Sequence, residues 1–360
     1  MRMKVMIAAG GTGGHIYPGI AVASEIVHRD HSSEVLFVGT SRGLETRIVP
    51  ENGFQLALIH SVGLKSVGIK GTAKGLMTLP RSFIEARRLL REFRPSVVVG
   101  AGGYVSGPVL MMAVVMGIPT LVMDSNALPG FTNRRLARFV DRAALTFHEA
   151  LPYFGGKGTV TGNPVRKEFF AAKPKSRVDG EISILIFGGS QGARAINNAV
   201  VGALDHLNGG RESFKIVHQT GEADYERVRN GYLERGWESA DVRPYISDMM
   251  HEFEKADVLI CRAGATTCAE IAAAGKAAIM IPLPTAADDH QRKNAEAMQN
   301  AGAARMLVQD QLDPKSLAGA LTDLAHSPEA ISKMETAARK MSREDAAEAT
   351  VDIIEELARD

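Results

Sequence analysis

The sequence predicts an α/β protein with two doubly wound parallel-sheet domains, and three stretches carry that expectation. Lys4 to Ala9 is an apolar run that ends in Gly10-Gly11-Thr12-Gly13-Gly14, with an amphipathic stretch behind it. Ile182 to Phe187 repeats that opening about 178 residues later, running into Gly188-Gly189-Ser190-Gln191-Gly192 and a second helical pattern. Residues 256–295 then alternate strand, helix, strand and helix, with Gly264 and Gly275 as breaks. Strands that alternate with helices form parallel sheets, because parallel neighbours need a crossover. Two separate openings imply two sheets, and the loops at the carboxyl ends of their strands are where ligands sit.

Composition agrees and sets limits. A chain of 360 residues exceeds one typical core, and 45% apolar with 23% charged residues is ordinary for a globular protein. Aromatic content of 6% and 36 glycines suit close-packed α/β units better than a β-sandwich. The net charge of +1 argues against a general nucleic-acid binder. It is unevenly placed: residues 1–163 hold 18 Lys/Arg against 10 Asp/Glu, and the remainder 24 against 31. Such asymmetry can orient a protein at an anionic surface. Cys261 and Cys268 are too few for a disulfide framework and read as buried thiols. The N-terminus lacks a signal-peptide pattern, and Pro108 and Pro119 divide the longest apolar stretch, so a cytoplasmic chain is expected.

In the first half, a helix is expected from about Pro18 to Arg29, with Ala21, Val22 and Ile26 facing inward. The strand Val35 to Val38 continues into Gly39-Thr40 without the acidic residue that would hold an NAD ribose, which sets a nicotinamide site aside. His15 closes the glycine loop; it either holds the loop by a hydrogen bond or takes a proton from a substrate hydroxyl. Residues 61–94 mix eight basic side chains with apolar ones. A helix from about Arg81 to Phe93 must pack on the sheet, whereas 63–80 is either a solvated loop or a stretch that rests on a bilayer, with Lys65, Lys70 and Lys74 meeting headgroups. Strand Val97 to Val99, a second glycine loop from Gly100 to Pro108, helix Leu110 to Met116 and strand Thr120 to Met123 follow. Asp124 or Asn126 can cap the next helix. Strand regions Asp141 to Phe147 and Gly158 to Thr161 lead to Gly162-Asn163-Pro164-Val165-Arg166.

The second half opens after a polar connection at 171–180. Ser190 and its neighbouring amides can hold a phosphate at the start of a helix through Ile196, Val200 and Leu204. Strand Phe214 to Gln219 and helix Ala223 to Leu233 follow, and Ser247 is expected to cap a helix ending at Lys255. Thr266 or Thr267 should cap the helix that runs to Ala274, with Glu270 in its first turn. A carboxylate accepts but cannot donate, so Glu270 suits sugar hydroxyls better than phosphate. Arg262 either faces a diphosphate or supports its loop; Arg166 either donates to a nucleotide or makes a surface ion pair. Asp288-Asp289-His290 hints at a metal, but adjacent side chains on a helix diverge. The last helices are expected at Leu317 to Leu324, Glu329 to Met341 and Ala346 to Leu357.

Six ordered motifs resemble the MurG family of glycosyltransferase family 28: GGTGGHIYPG, GAGGYVSGP, the Asn126, Gly130 and Asn133 spacing, GNPVR, GGSQGA, and RAGATTCAE with IPLP and AADDHQRKNA. The resemblance implies a GT-B fold, two Rossmann-like domains facing across a cleft. Residues 1–163 would take the acceptor, with a helix at about 342–360 packing back on them, and 164–341 would take the donor. It implies inverting transfer of N-acetylglucosamine from UDP-N-acetylglucosamine to the C4 hydroxyl of undecaprenyl-diphospho-N-acetylmuramyl-pentapeptide. His15 and Asp124 would be catalytic. Donor contacts would fall on Thr12, Gly13, Gly14, Asn126, Arg166, Ser190, Ile246, Arg262, Ala265, Thr266, Thr267, Glu270, Asp289, His290 and Gln291, with the backbone at Tyr245-Ile246 reading uracil. Acceptor contacts would fall on Gly11, Tyr104 and Ser106. One motif departs from the family: Asp124-Ser125 stands where Glu-Gln is usual, a carboxylate one methylene shorter. No metal or tightly bound cofactor is implied. The expected partners are the two substrates, anionic membrane lipids and other cell-wall synthesis proteins, at the cytoplasmic face of a bacterial membrane. The alternatives are another nucleotide-sugar:lipid transferase of this fold, or a non-catalytic nucleotide-sugar-binding protein.

Overall fold

The structure, a computed structural model, describes residues 2–11, 13–41, 43–61, 68–172, 181–189 and 191–359, with backbone alone at 68–78, 167, 208 and 287. It divides into two compact units, Met1–Val165 with Arg343–Asp360, and Arg166–Ser342.

The first unit runs β1 (Lys4–Ala9), α1 (Gly13–Arg29), β2 (Glu34–Gly39), α2 (Glu45–Glu51), β3 (Gln55–Leu58), α3 (Gly68–Phe93), β4 (Val97–Gly102), α4 (Ser106–Val115), β5 (Thr120–Asp124), α5 (Phe131–Leu136), β6 (Arg142–Leu145) and β7 (Gly158–Val160). Its seven strands are parallel in the order β3-β2-β1-β4-β5-β6-β7. Side chains alternate across a strand, so β1 feeds two cores. Val5, Ile7 and Ala9 pack with Ile16, Ile20 and Ile26 of α1, while Met6 and Ala8 join Ala86 and Leu90 of α3 and Val109, Leu110 and Ala113 of α4.

The second unit runs β8 (Ile182–Phe187), α6 (Arg194–Leu207), β9 (Phe214–Gln219), α7 (Tyr225–Leu233), β10 (Asp241–Arg243), α8 (Met249–Lys255), β11 (Val258–Cys261), α9 (Ala265–Ala274), β12 (Ala277–Met280), α10 (His290–Asn300), β13 (Ala304–Met306), α11 (Pro314–Ala325) and α12 (Pro328–Met341). Its sheet is also parallel, in the order β10-β9-β8-β11-β12-β13. The winding therefore reverses beside the first strand of each unit, between β1 and β4 and between β8 and β11. A crevice opens where successive connections leave on opposite faces of a sheet. Buried His218 braces the second unit by bridging the Tyr232 hydroxyl and Asn197 Oδ1, each at 3.1 Å. Burial pushes its pKa down to about 3, so the ring is neutral near pH 7.

The chain then returns to the first unit as α13 (Ala346–Leu357), which covers the α1 side of that sheet with Val351, Ile353, Ile354 and Leu357. Arg29 of α1 reaches Asp352 at 2.7 Å and donates to the Glu348 carbonyl at 3.0 Å. The four apolar side chains stabilise this contact more than the exposed ion pair, at roughly 1.5–3 kcal/mol each against at most about 1 kcal/mol.

Several boundaries differ from the sequence reading. Helix α1 starts at Gly13, five residues before Pro18; of the described glycines in the loop Gly10–Gly14, only Gly11 has positive φ, at 90°, so Gly13 and Gly14 take up the first turn. Helix α3 begins at Gly68 and continues through Pro80 to Phe93. Helix α8 is capped by Asp248, which accepts from His251 N–H at 3.1 Å, and not by Ser247. Gly264 occupies the cap of α9, which puts Thr266 and Thr267 inside the first turn and Glu270 in the second.

Candidate functional site

In the first unit the ends of β1, β4 and β5 lie side by side, and each carries part of the site. The loops after β1 and β4 touch backbone to backbone: a Cβ on Gly103 would stand 2.2 Å from the Gly10 carbonyl oxygen. A Cβ on Gly102 would stand 2.3 Å from Cδ2 of His15, so glycine there, at φ 119°, makes room for the ring. His15 Nδ1 lies 3.2 Å from the Gly10 carbonyl oxygen. A carbonyl only accepts, so Nδ1 bears the proton, and in the neutral ring Nε2 is the basic nitrogen. The loop-holding role and the basic role read from sequence are thus compatible in one side chain.

Asp124 ends β5, is buried, and accepts three hydrogen bonds: Asn126 N–H and Gly130 N–H at 3.0 Å and Asn133 Nδ2 at 2.8 Å. Burial pushes its pKa up, against those donors and the nearby charge of His15. Its carboxylate ties residues 124–133 into one loop and lies close enough to His15 to interact with it electrostatically. Ser106, expected to touch acceptor, is 1% exposed. Its hydroxyl accepts from Gly102 N–H and lies within bonding distance of the Ala8 and Gly102 carbonyls, so it shapes the loop from below. Tyr104 is exposed on the same loop.

The second unit holds a pocket of about 550 Å³ at the β8–β11 switch point. Gly188, Gly189 and Gly192 form one wall, Arg262, Gly264 and Thr267 the next, and Leu283, Gln291 and Gln309 the third. The amino terminus of α9 opens into it, with unpaired N–H groups that suit an anion. The hydroxyl of Thr266, in the same turn, is buried without a partner. Arg262 combines a place in the pocket wall with bonds to its loop. Its Nη1 donates to the Ile281 and Pro282 carbonyls at 3.0 and 3.2 Å and its Nη2 to Gln309 Oε1 at 2.8 Å, so it supports the loop, and burial pulls its pKa down. Gln291 likewise accepts from Leu283 N–H at 3.0 Å. Within the Tyr245-Ile246 segment expected to read uracil through its backbone, Ile246 N–H is engaged by Gln219 Oε1 at 2.8 Å.

Glu270 is mostly buried, and burial pushes its pKa up to about 7 against the Arg166 guanidinium 3.5 Å away. Arg166 stacks on Phe169, its guanidinium carbon 4.9 Å from the ring centroid. Asp288 and Asp289 both take left-handed backbone, φ 55° and 56°, immediately before His290 opens α10. Two consecutive non-glycine residues there cost on the order of 1–3 kcal/mol each, and such strain gathers at ligand clamps. The strain aims the start of α10, with His290 and Gln291. Thr12 and Ser190 lie outside the described residues, as do Lys65 and the side chains of Lys70 and Lys74.

Sequence reasoning missed residues that act one layer down. Glu45 of α2 is buried and accepts from Gly11 N–H at 2.9 Å, Thr40 N–H at 2.8 Å and the Thr40 hydroxyl at 2.9 Å, fixing the first glycine loop. Asn294 donates to the Ala263 carbonyl at 3.1 Å beneath α9. Gln309 and Gln219 are the others. A polar residue in a helical or strand pattern gives no hint of which distant loop it holds.

Comparison with known proteins covers both units. Residues 5–145 match the model of the glycosyltransferase family 28 N-terminal domain, and residues 183–350 that of its C-terminal domain. A Myxococcus xanthus protein described as UDP-N-acetylglucosamine–N-acetylmuramyl-(pentapeptide) pyrophosphoryl-undecaprenol N-acetylglucosamine transferase is 47% identical over 99% of this chain and 93% of its own length. A Syntrophus aciditrophicus protein with the same description is 46% identical over 98% of each chain. The crystal structure of Acinetobacter baumannii MurG superposes with a TM-score of 0.83 at 31% identity, covering 98% of this chain and 99% of that one.

Proposed function

The chain belongs to glycosyltransferase family 28, and from that premise we infer that it transfers N-acetylglucosamine from UDP-N-acetylglucosamine to N-acetylmuramyl-pentapeptide pyrophosphoryl-undecaprenol, making the lipid-linked disaccharide precursor of peptidoglycan. The observation that carries this reading is the 47% identity maintained over 99% of the chain. The second unit takes the donor. Its diphosphate lies along the Gly188–Gly192 loop toward the start of α9, and its ribose hydroxyls meet the Glu270 carboxylate with Arg166 alongside. N-acetylglucosamine faces Asp289, His290 and Gln291. Backbone N–H groups aimed at the diphosphate stabilise the charge that grows as UDP leaves.

The first unit takes the acceptor along the glycine loops, beside Tyr104. His15 Nε2 removes the proton from the C4 hydroxyl as that oxygen attacks the anomeric carbon from the side opposite UDP. The C–O bond to UDP breaks with inversion, giving a β-1,4 linkage. Asp124 holds the loop that faces His15 and favours the imidazolium that forms. A short-chain acceptor incubated with UDP-N-acetylglucosamine should yield the β-1,4 disaccharide and UDP. Turnover confined to UDP-N-acetylglucosamine without acceptor would instead point to isomerisation of the sugar, and binding without turnover to a non-catalytic protein.

The acceptor's lipid tail requires a meeting with a membrane, and we place it on the α3 face of the first unit. Among the described residues no helix is long and apolar enough to cross a bilayer. Ile84, 70% exposed, lies among exposed Arg81, Arg87 and Arg88 on α3, and Val115 of the adjoining α4 is 72% exposed. Each basic side chain near an anionic surface contributes about 1 kcal/mol. Reversing the charge of Lys65, Lys70 and Lys74 together should weaken binding to anionic vesicles and flatten its salt dependence. Vesicle binding unchanged over a salt series would exclude that stretch as the contact.

A further inference from the structure

We propose that Gln219, at the carboxyl end of β9, is a positioning residue that locks the diphosphate loop and the base-facing segment of the donor site into one unit. Its side-chain amide is spent at both ends: Nε2 donates to the Gly189 carbonyl at 3.0 Å and Oε1 accepts from Ile246 N–H at 2.8 Å. The amide orientation is unambiguous, because a carbonyl only accepts and a backbone N–H only donates. Gln219 is 2% exposed, so its side-chain amide depends on these two partners and not on water.

The surrounding backbone makes the link stiff. A Cβ on Gly192 would stand 1.9 Å from the Thr220 carbonyl oxygen, so the glycine loop lies directly on the end of β9. On the other side Gly221 N–H donates to the Pro244 carbonyl at 3.1 Å. The end of β9 is thus a middle layer between the loop after β8 and the segment that carries Ile246, and Gln219 is the side chain that spans it. The Gly189 carbonyl accepts both from Gln219 Nε2 and from Gly192 N–H at 2.9 Å, in a residue at φ 88° that reaches such a conformation cheaply. With both donors engaged, that carbonyl is fixed within the loop and is not an oxygen left to face the donor's phosphates.

The proposal rests on the donor assignment above and is tested separately from it with two variants of the full chain. In Q219E the ionised carboxylate still accepts from Ile246 N–H but cannot donate to the Gly189 carbonyl; once protonated it can do both, as glutamine does. Calorimetric titration at about pH 8 should show UDP affinity lowered about 5- to 100-fold, the range for one buried group left unpaired, with uridine affinity nearly unchanged. The gap to wild type should narrow as pH falls to about 6, because burial raises the pKa of the introduced acid. In steady state the donor KM should rise while the acceptor KM stays. Q219M, which loses both bonds, should weaken UDP and, to a smaller extent, uridine at every pH, and it carries the test if Q219E does not fold. Wild-type UDP affinity in either variant, or a Q219E defect equal for UDP and uridine and constant with pH, overturns the proposal while leaving the donor site intact. A wild-type protein that binds no UDP overturns the donor assignment and the proposal together.

Discussion

Replacing His15 with glutamine should leave UDP-N-acetylglucosamine binding near normal and reduce turnover roughly 10²- to 10⁴-fold, the contribution of a positioned general base. The glutamine amide can still donate to the Gly10 carbonyl, which now receives Nδ1–H at 3.2 Å, so the loop keeps its tie. What disappears is the basic nitrogen on the other side of the ring. Gly102→Ala offers an independent route to the same defect. A Cβ there meets Cδ2 of His15 at 2.3 Å and would displace the ring without removing it. Asp124→Asn separates the neighbouring roles. Asparagine can accept at one atom only, whereas Asp124 accepts at both oxygens from three donors, so the variant should lose about 1–3 kcal/mol of stability along with some rate. A pH–rate series on both variants decides the assignment. Near-normal turnover in His15→Gln, with loss of the basic-side rate in Asp124→Asn, would transfer the base to Asp124.

Donor affinity should fall as pH drops through about 7, and Glu270 should be the cause. Burial raises its pKa to about 7, and two ribose hydroxyls are best received by the ionised form, which accepts at both oxygens. The sign follows: ligand bound to the carboxylate is fully favoured above pH 7, and below it each unit of acid costs up to about tenfold, because the group must first lose its proton. Glu270→Gln should flatten that profile and weaken binding about 10- to 100-fold at pH 8, the range for hydrogen bonds to a charged group. Removing Arg166, whose cation opposes the upward shift, should move the inflection to higher pH. Acceptor KM should not follow either change. An affinity profile that stays level from pH 6 to 8 in the wild type, or equal losses for both substrates in Glu270→Ala, would remove Glu270 from the ribose site.

The fold was legible because its signals are local. Apolar runs ending in glycine mark β1 and β8, and Gly275 in left-handed backbone at φ 60° stops α9 as its position suggests. Short edge strands were legible only in part: β7 was expected, but β3 and β13, with four and three residues, are too short to show a period. His15 and Glu270, near the amino ends of their helices, stood out by chemistry and neighbourhood, and Gln291 through the family resemblance. Glu45 and Gln219 did not, since each acts on backbone 27 residues or more away in sequence. Arg262 shows the converse limit. A cation at a strand end beside glycine suits a phosphate as well as its own loop, and its two carbonyl partners are visible only in the fold.

The return of α13 to the first sheet has a consequence for how the protein is made. Residues 166–342 form a contiguous unit that can emerge from the ribosome and close by itself. The first sheet cannot: the face that receives Val351, Ile353, Ile354 and Leu357 stays bare until those residues have been synthesised, some 180 residues after Val165. At about 5–20 residues per second the delay is on the order of ten to forty seconds. Throughout that interval the nascent chain carries an open apolar surface beside β1, and a chaperone that shields such surfaces would find its main client in the half of the protein that was translated first.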